Sequence, residues 1–536
     1  MLKFILIALC IITTSILSGK IACGMFAIVE LLIIVNATQL IAKRYKKIAY
    51  IFNTFFSLIL LLQQGSIIFS GDYISVMMFE NLGEYNALGT SLAKYVVSAL
   101  CALCLSLLPH RVSFKLLSKK YFWCVLVIFI LISATIYKIS AKQYPPCFSF
   151  VATVGSFCKS QALSYYYKNA SSAQLFKEFH KNKIEESEFS INQYVGNMPN
   201  VIVIFTEGMS AEVIDKFNSL KLNLTPNLDD FYEKSLVFTN YYNHTVATYR
   251  GLRGQLFSSH QYLGGYYAEN NGFGQMDKDT LLKKTATKIV SIIDILNDND
   301  YFTFFINCEQ KGSAHCNYLE TFRCTKVISG ATQNTLSDKE AFALLADTIA
   351  RLPQPFFCGF YNLGTHAGFD SDTKYKDGKN AVYNKFYNFD KCFGEFFNQF
   401  INSNLAINTI LIFTTDHCSF QAPEYLSAFS SKQDCFVNKI PLMIYGNGIE
   451  HNIIDVKGRN SLDLAPTILD LLKMNNHENY FLGSSLFIPD DDVLHRITAI
   501  GDDFYLTAND TIINISKKNN INISKIKTYY KISVGN

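Results

Sequence analysis

Three short polar segments carry residues that together can form a metal site with a hydroxyl nucleophile beside it. Glu207 follows the apolar run at 200–205, and the pair Asp416-His417 follows a second apolar run at 408–413. Short runs rich in β-branched residues are typical of buried parallel strands. Because open α/β sheets bind ligands beyond the carboxyl ends of their strands, these side chains can meet at one point. Two carboxylates and an imidazole suit a divalent ion such as Zn²⁺ or Mn²⁺.

Thr248 lies between these segments in the sequence, within the run at 244–251. A threonine hydroxyl is a poor nucleophile until a metal lowers its pKa. The sequence therefore predicts that Thr248 is a nucleophile next to one divalent ion, Zn or Mn. The predicted ligands of that ion are Glu207, Thr248, Asp416 and His417. Thr245, in the same run, is the alternative nucleophile. An Asp-His pair alone is more often a turn with a surface histidine, so the prediction depends on the whole set.

The order of these residues and their flanking sequences resemble the sulfatase-like branch of the alkaline phosphatase superfamily. The similarity is to lipoteichoic acid synthases and to phosphoethanolamine and phosphoglycerol transferases, and it extends over about residues 198–488. The matching segments include 224–228, 361–366, 439–446 and 461–472. The resemblance implies an α/β alkaline-phosphatase-like domain with a mainly parallel central sheet. It also implies that the Glu, the Thr and the Asp-His pair hold one metal.

The resemblance further implies a reaction. A phospholipid donor would transfer its headgroup, phosphoethanolamine or phosphoglycerol, to Thr248, and diacylglycerol would leave. An envelope glycan or lipid acceptor would then take the headgroup from Thr248. Arg250 and Arg253 are candidates to bind the phosphoryl oxygens, with a solvated helix face as the alternative. His366, which matches a strand-end histidine on the substrate side, is the candidate general acid or phosphate contact.

Departures from the family pattern bear on the substrate. Lipid A phosphoethanolamine transferases carry Pro-Cys-Met-Phe-Ser after their threonine, whereas residues 251–258 here read Gly-Leu-Arg-Gly-Gln-Leu-Phe-Ser, so the acceptor stays open. The chain has no Cys-x-Pro-Ser-Arg motif for making formylglycine, which disfavours sulfate-ester hydrolysis. The alternatives to a transferase are an extracytoplasmic phosphodiester or sulfate-ester hydrolase and a metal-free envelope interaction protein. The complete Glu, Thr, Asp and His set argues against the last.

Apolar stretches before residue 141 predict a five-helix transmembrane bundle. Most reach the roughly 17 to 25 residues that a spanning helix needs. The stretches are at about 4–18, 22–42, 48–70, 91–109 and 121–140. The first lacks an obvious cleavage site and is followed by further stretches, so we interpret it as a retained anchor.

The charges of the loops predict the orientation of the bundle. Lys and Arg cluster after the second and fourth stretches, whereas the loop at 71–89 contains acidic residues and no Lys or Arg. Basic loops stay in the cytoplasm, so the chain after about residue 141 should lie outside. This predicts a multi-pass protein of the bacterial cytoplasmic (inner) membrane with an extracytoplasmic or periplasmic catalytic domain. Glu30, inside the second stretch, is either functional or a paired acid facing the bundle.

Composition divides the chain into a transmembrane domain (1–140), a linker with helical segments (141–197), a sulfatase-like catalytic domain (198–490) and C-terminal strands with a polar tail (491–536). The net charge of +4 over 536 residues gives no reason to expect nucleic acid as a partner. Cysteines outside the membrane stretches can form disulfides in an oxidising compartment. Cys308, Cys316 and Cys324 are close enough in sequence for one loop-closing pair.

Overall fold

The computed structural model describes the chain in two compact units. The described residues are 2–80, 92–109, 118–140, 144–168, 177–189, 191, 198–261, 289–330, 335–366, 368–369, 371–517 and 520–533. The first unit comprises Met1–Lys159 with Gln421–Glu424, and the second comprises Ser160–Phe420 with Tyr425–Asn536.

The first unit is a bundle of apolar helices, one at each of the five predicted stretches. Its helices are α1 (Leu2–Ser18), α2 (Ile21–Ala42), α3 (Lys46–Ser70), α4 (Val76–Glu80), α5 (Leu92–Leu107), α6 (Lys119–Ser140) and the start of α7 (Pro146–Lys168). In the described part of the chain, α2, α3 and the Lys119–Ile136 portion of α6 are long and apolar enough to cross a membrane. The apolar helices at Leu2–Ser18 and Ala93–Leu107 are shorter. An N-terminal bundle consistent with a membrane is therefore confirmed, while the number of five spans stays a prediction.

Glu30 is paired inside this bundle. Its carboxylate, on α2, accepts hydrogen bonds from the backbone N–H groups of Cys147 at 2.8 Å and Phe148 at 3.3 Å, in the first turn of α7. These N–H groups have no acceptor within their own helix and carry the positive end of its dipole. The buried Glu30 carboxylate supplies the missing acceptor for these N–H groups, and its negative charge is stabilised by the positive end of the helix dipole. The geometry therefore favours the paired acid over a separate functional role for Glu30.

The second unit is built on an eight-stranded sheet with the order β4-β3-β5-β1-β6-β7-β2-β8. The strands are β1 (Asn200–Thr206), β2 (Leu236–Thr239), β3 (Phe302–Asn307), β4 (Lys326–Ser329), β5 (Phe356–Tyr361), β6 (Thr409–Thr415), β7 (Met443–Tyr445) and β8 (Asn452–Asp455). Among the described strands of this sheet, β7 alone runs antiparallel to its neighbours. Every residue of β1, β5 and β6 is buried, as expected for central strands covered on both faces. The predicted mainly parallel sheet is confirmed.

Helices cover the sheet and connect its strands. They are α8 (Pro226–Glu233), α9 (Thr248–Phe257), α10 (Ile292–Asp298), α11 (Ala314–Glu320), α12 (Asp338–Ile349), α13 (Ala381–Ile401), α14 (Pro423–Phe429) and α15 (Leu464–Leu471). The C-terminal segment forms an antiparallel sheet of β9 (Ile497–Ile500), β10 (Asp503–Ala508) and β11 (Thr511–Asn514), followed by α16 (Ile521–Ser533). Part of the predicted linker, residues 169–176 and 192–197, lies outside the described residues.

All 14 cysteines lie in the described part of the chain, and all are free. The Cys308 thiol donates to the carbonyl oxygen of Tyr361 at 2.8 Å. The Cys316 sulfur instead accepts a hydrogen bond from the Ser329 hydroxyl at 3.3 Å. The expected loop-closing disulfide among Cys308, Cys316 and Cys324 is therefore not formed in this structure.

A partly buried ion pair precedes β9. The His495 Nδ1 atom hydrogen bonds to Asp490 Oδ2, which also accepts a hydrogen bond from the Ser484 hydroxyl at 2.8 Å. Burial lowers the pKa of His495, but Asp490 and Asp463 outweigh burial and the positive charge of Arg459, so the pKa rises above its ordinary 6.5. Burial raises the pKa of Asp490, yet His495 lowers it overall. Both shifts favour the charged form of the group.

This pair should make stability depend on pH. The contribution of His495 is fully present below the unfolded pKa of about 6.5 and is lost as pH rises through its raised folded pKa. The contribution of Asp490 is present above about 3.9 and is lost as pH falls through its lowered pKa. His495→Gln should therefore lower the free energy of unfolding by about 1.5 to 3 kcal/mol near pH 5.5, and by less near pH 8.5.

Thermal denaturation of the full-length chain at both pH values measures this difference. His477→Gln, at a half-buried histidine paired with Asn299, is the matched control. A loss of Tm in His495→Gln that is equal at the two pH values would contradict the ion pair.

Candidate active site and metal centre

The candidate site lies at the carboxyl edge of the central sheet, where β1, β5 and β6 end. Thr206 of β1 is in register with Thr415 of β6, so the next residues, Glu207 and Asp416, lie side by side. One ligand atom from each of Glu207, Asp416 and His417 lies within 4.8 Å of the others. All three side chains are buried. The structure thus brings together three of the four predicted metal ligands.

The hydrogen bonds of Asp416 and His417 leave one atom of each side chain able to ligate a cation. The Oδ1 atom of Asp416 accepts from the backbone N–H groups of Gly208 at 2.8 Å and His417 at 2.7 Å. Its Oδ2 atom is buried and has no hydrogen-bond partner among the described residues. His417 Nδ1 lies 2.7 Å from the Cys418 carbonyl oxygen, which can only accept, so Nδ1 carries the proton. In the neutral ring, Nε2 therefore offers a lone pair, 3.4 Å from Asp416 Oδ2 and 3.6 Å from Glu207 Oε1.

The pKa shifts of the two carboxyl groups also favour a cation at this position. Burial raises the pKa of Asp416, and the charge of Glu207 raises it further, well above its ordinary range. Burial also acts to raise the pKa of Glu207, but the neighbouring His417, His366 and Tyr361 side chains outweigh burial and hold this pKa below its ordinary value. Two carboxylates this close cannot both ionise without a compensating positive charge. The donor set, the unmatched Oδ2 atom and this conflict together fit one divalent ion.

Reciprocal hydrogen bonds fix the two loops that carry these ligands. The backbone N–H of Ser210 donates to the Ser419 hydroxyl, and the backbone N–H of Ser419 donates to the Ser210 hydroxyl, both at 3.0 Å. The Ser419 hydroxyl in turn donates to the Gly208 carbonyl oxygen at 2.7 Å. Because each loop holds the other, the distance between Glu207 and Asp416 is set by backbone as well as by side chains.

Thr248 is the first residue of α9, and its hydroxyl donates to Glu207 Oε2 at 2.9 Å. The preceding residue, Ala247, has φ +71°, a conformation that costs an alanine about 1 to 3 kcal/mol and that often marks functional turns. Thr245 is buried, and its hydroxyl has no partner among the described residues. Thr248, in contrast, is half-buried. Of the two threonines considered from the sequence, the geometry favours Thr248.

Close backbone contact docks α9 onto the loop that carries Asp416. A Cβ atom added to Gly251 would lie 2.2 Å from the Asp416 carbonyl oxygen, and one added to Gly254 would lie 1.8 Å from His244 Nε2. The buried Gln255 side chain donates from Nε2 to the carbonyl oxygens of Thr415 at 2.9 Å and Asp416 at 3.3 Å. The helix that carries Thr248 is therefore held directly against the strand end that carries Asp416.

The remaining predicted residues have the following positions. Arg250 is half-buried, and its Nε donates to the Val246 carbonyl oxygen at 2.9 Å. Arg253 is only 4% exposed, with its guanidinium 4.2 Å from the ring centroid of Phe257. These contacts are to neighbours in the same segment, and binding of phosphoryl oxygens stays a prediction for both arginines. His366 is half-buried after β5 and near enough to Glu207 to lower its pKa, while its role in proton transfer or phosphate binding stays a prediction.

Three contributors to the site were not singled out in the sequence. The Tyr361 hydroxyl donates to Glu207 Oε2, and Asn362 Oδ1 accepts from the Glu207 backbone N–H at 3.2 Å. These residues are the polar end of a third buried strand, a signal that was available in the sequence. His315 of α11 packs edge-on against Tyr361 with ring centroids 4.8 Å apart. No local sequence signal marks His315, since α11 follows β3 and reaches the site only through the fold.

The contact between α9 and Asp416 yields a stability prediction. Gly251→Ala should lower the free energy of unfolding by about 1 to 3 kcal/mol, because its methyl group would overlap backbone atoms that cannot move independently. Gly155→Ala is the control, as a Cβ atom at this helical glycine meets nothing within 4 Å. Denaturant unfolding of both variants measures the difference. Equal unfolding midpoints for Gly251→Ala and the wild type would show that α9 is not seated as described.

Comparisons with known proteins identify the family of the chain. The chain matches the sulfatase family model over residues 199–474. It is 22% identical over 369 residues to the lipoteichoic acid synthase-like protein YvgJ of Bacillus subtilis, covering 62% of this chain and 57% of that protein. It is 23% identical over 329 residues to lipoteichoic acid synthase 2 of the same organism, covering 55% of this chain and 48% of that protein. The match thus spans about half the length of these relatives.

A solved structure shows the same fold. A protein of the alkaline phosphatase superfamily from Vibrio parahaemolyticus superposes with a TM-score of 0.50 at 16% sequence identity, covering 70% of this chain and 94% of that chain. The family match includes the strands that end at Glu207 and Asp416 and the helix that begins at Thr248. It covers just over half of the 536 residues. The chain therefore belongs to the sulfatase family.

Proposed function

We propose that this chain is a membrane-anchored, metal-dependent transferase. It moves a phospholipid headgroup, phosphoglycerol or phosphoethanolamine, through a phosphothreonine intermediate at Thr248 to a hydroxyl of an envelope glycan or lipid. The observation that carries the proposal is the Thr248 hydroxyl at the start of α9, 2.9 Å from Glu207 and beside the buried Asp416-His417 pair. The missing formylglycine motif supports phosphoryl chemistry over sulfate-ester hydrolysis. The N-terminal apolar helices support a donor that resides in the membrane.

Glu207, Thr248, Asp416 and His417 are the proposed ligands of one zinc or manganese ion. When bound, such an ion lowers the pKa of a hydroxyl at the site and withdraws charge from phosphoryl oxygens. The chain itself orients the nucleophile, because Glu207 Oε2 accepts the hydrogen bond of Thr248 and holds its oxygen at the N-terminus of α9. The positive dipole end of that ten-residue helix favours an anionic phosphoryl group in the same place.

In the first half-reaction, the Thr248 oxygen forms a bond to phosphorus while the bond from phosphorus to the diacylglycerol oxygen breaks. The proton lost by Thr248 ends on that leaving oxygen, so diacylglycerol departs as a neutral alcohol. In the second half-reaction, an acceptor hydroxyl forms a bond to phosphorus, the bond from phosphorus to Thr248 breaks, and a proton returns to Thr248. His366, near Glu207, is the proposed carrier of these protons.

We place the catalytic unit outside the cytoplasmic membrane. The basic loops after the second and fourth apolar stretches support this orientation through the positive-inside bias. Phospholipid headgroups and envelope acceptors are both available on that face. Nucleic acid has no part in this scheme.

A metal-binding measurement tests the ligand set. The purified full-length chain should contain about one zinc or manganese ion, since one three-residue ligand group is present among its described residues. Asp416→Asn and Glu207→Gln should each lower metal content by at least about tenfold, while Asp377→Asn, at an exposed carboxylate, should not. Chelation should lower the free energy of unfolding, by about 2.7 kcal/mol if the ion was present at 100 times its Kd. Metal content that is unchanged in both ligand variants would overturn the site.

Labelling tests the nucleophile. The wild type, incubated with headgroup-labelled phosphatidylglycerol or phosphatidylethanolamine, should carry label on the peptide that contains Thr248. Thr248→Ala should slow headgroup transfer by at least about a thousandfold, because the covalent step is lost while the other ligands remain. Thr245→Ala, at the buried neighbour, is the matched control and should retain transfer. Label on Thr245, or normal turnover by Thr248→Ala, would contradict the assignment.

A further inference from the structure

His315 is a buried histidine for which the proposed reaction has no role so far. It lies in α11, is 2% exposed, and its Nε2 atom has no hydrogen-bond partner among the described residues. A buried polar atom left unpaired costs about 1 to 3 kcal/mol, so native proteins rarely keep one without a reason. The unpaired Nε2 atom therefore indicates that a bound ligand supplies its hydrogen-bond partner.

The surroundings of His315 fix its proton on the other nitrogen. Nδ1 lies 3.0 Å from Asn307 Oδ1, an oxygen that also accepts from the Glu309 backbone N–H at 3.2 Å. Because this oxygen can only accept, Nδ1 is the donor. Burial lowers the pKa of His315 to about 4, against the opposing charge of Glu207, so the ring is neutral at physiological pH. Nε2 thus carries a lone pair and can only accept a hydrogen bond.

Two tyrosine rings connect His315 with the nucleophile. The centroid of its ring lies 4.8 Å from that of Tyr361 and 5.4 Å from that of Tyr249, both in edge-on contacts. Tyr249 directly follows Thr248, and Tyr361 hydrogen bonds to the Glu207 oxygen that also accepts from Thr248. Tyr318 fixes Tyr249 by donating to its carbonyl oxygen at 2.8 Å. With Nδ1 turned to Asn307, Nε2 is the ring nitrogen left for a ligand.

We propose that His315 determines headgroup specificity: its Nε2 atom accepts a hydrogen bond from a hydroxyl or ammonium group on the headgroup whose phosphorus reacts with Thr248. The proposal rests on the proposed function. A neutral acceptor repels phosphoryl oxygens, which are acceptors themselves, so its partner must be a donor on the part of the headgroup beyond the phosphate. Glycerol supplies hydroxyl groups and ethanolamine supplies an ammonium group.

Phosphatidylethanol provides the test, because its headgroup has the size of ethanolamine but no terminal donor. The full-length protein is assayed in vesicles that contain labelled phosphatidylglycerol, phosphatidylethanolamine or phosphatidylethanol. The wild type should label Thr248 from at least one of the first two with a kcat/KM at least about tenfold above that for phosphatidylethanol, because the site loses a matched hydrogen bond with the analogue. Comparison of the glycerol and ethanolamine lipids shows which donor group is used.

Variants assign this preference to His315. His315→Phe keeps a ring against Tyr361 but removes the acceptor, and should bring the kcat/KM for the preferred lipid to within about threefold of that for phosphatidylethanol. His315→Gln, which offers an oxygen near the Nε2 position, should restore part of the preference. His477→Phe, at a histidine in the same unit paired with Asn299, is the matched control.

Four outcomes would overturn the proposal. The wild type could use phosphatidylethanol as well as the other two lipids, or His315→Phe could keep the preference of the wild type. His315→Phe could also lose the same share of kcat/KM with all three lipids, or His315→Gln could restore none of the preference. If His315→Phe does not fold, as judged by Tm, the preference of His315→Gln relative to the wild type and to His477→Phe decides. A wild type that labels Thr248 from none of the three lipids would instead refute the proposed function, and the specificity proposal with it.

Discussion

Repulsion between two buried carboxylates is the interaction on which the arrangement of the catalytic unit depends. Glu207 and Asp416 lie side by side because β1 and β6 are parallel and in register, and both are removed from water. The chain compensates only part of this cost. Two backbone N–H groups satisfy Asp416 Oδ1, and Tyr361 and Thr248 satisfy Glu207 Oε2. Asp416 Oδ2 remains without a hydrogen-bond donor and lies near the lone pair on His417 Nε2. Only a proton or a cation between these two atoms can satisfy both.

That requirement explains the close packing around the site. In the proposed metal site, the loops that carry Glu207 and Asp416 have to be held at a fixed distance for both carboxylates to reach one cation. The Ser210 and Ser419 hydrogen bonds supply this restraint between the two strand ends. Gly251 lets α9 approach the Asp416 backbone, which directs the positive end of the helix toward the carboxylates. The same approach places Thr248 within reach of Glu207, so one packing arrangement serves both charge balance and the position of the proposed nucleophile.

The sequence contained the parts of the site that are encoded locally. An apolar run followed at once by Glu207 or by Asp416-His417 marks a strand end, and parallel strands bring their ends to one edge. Long-range packing decided the rest. Spacing along α9 put Arg253 near Arg250, but only the fold shows its guanidinium covered by Phe257. The sequence left Glu30 as either a functional residue or a paired acid, because its partners, Cys147 and Phe148, lie more than 100 residues away. His315 has no local signal, since its environment is made by strands and loops that are distant in sequence.

Tyr361 shows how the site can remain satisfied through a covalent reaction. In the structure, Glu207 Oε2 accepts from both Thr248 and Tyr361. If Thr248 becomes a phosphate ester, its oxygen no longer has a proton to donate. Glu207 Oε2 would then be left unpaired if Thr248 were its single donor. Tyr361 remains as a donor in that state, because it ends β5 and is held there by the register of β5 with β1. The strand order therefore supplies the carboxylate with a second partner that does not take part in bond formation, and Glu207 keeps its orientation in both halves of the proposed reaction.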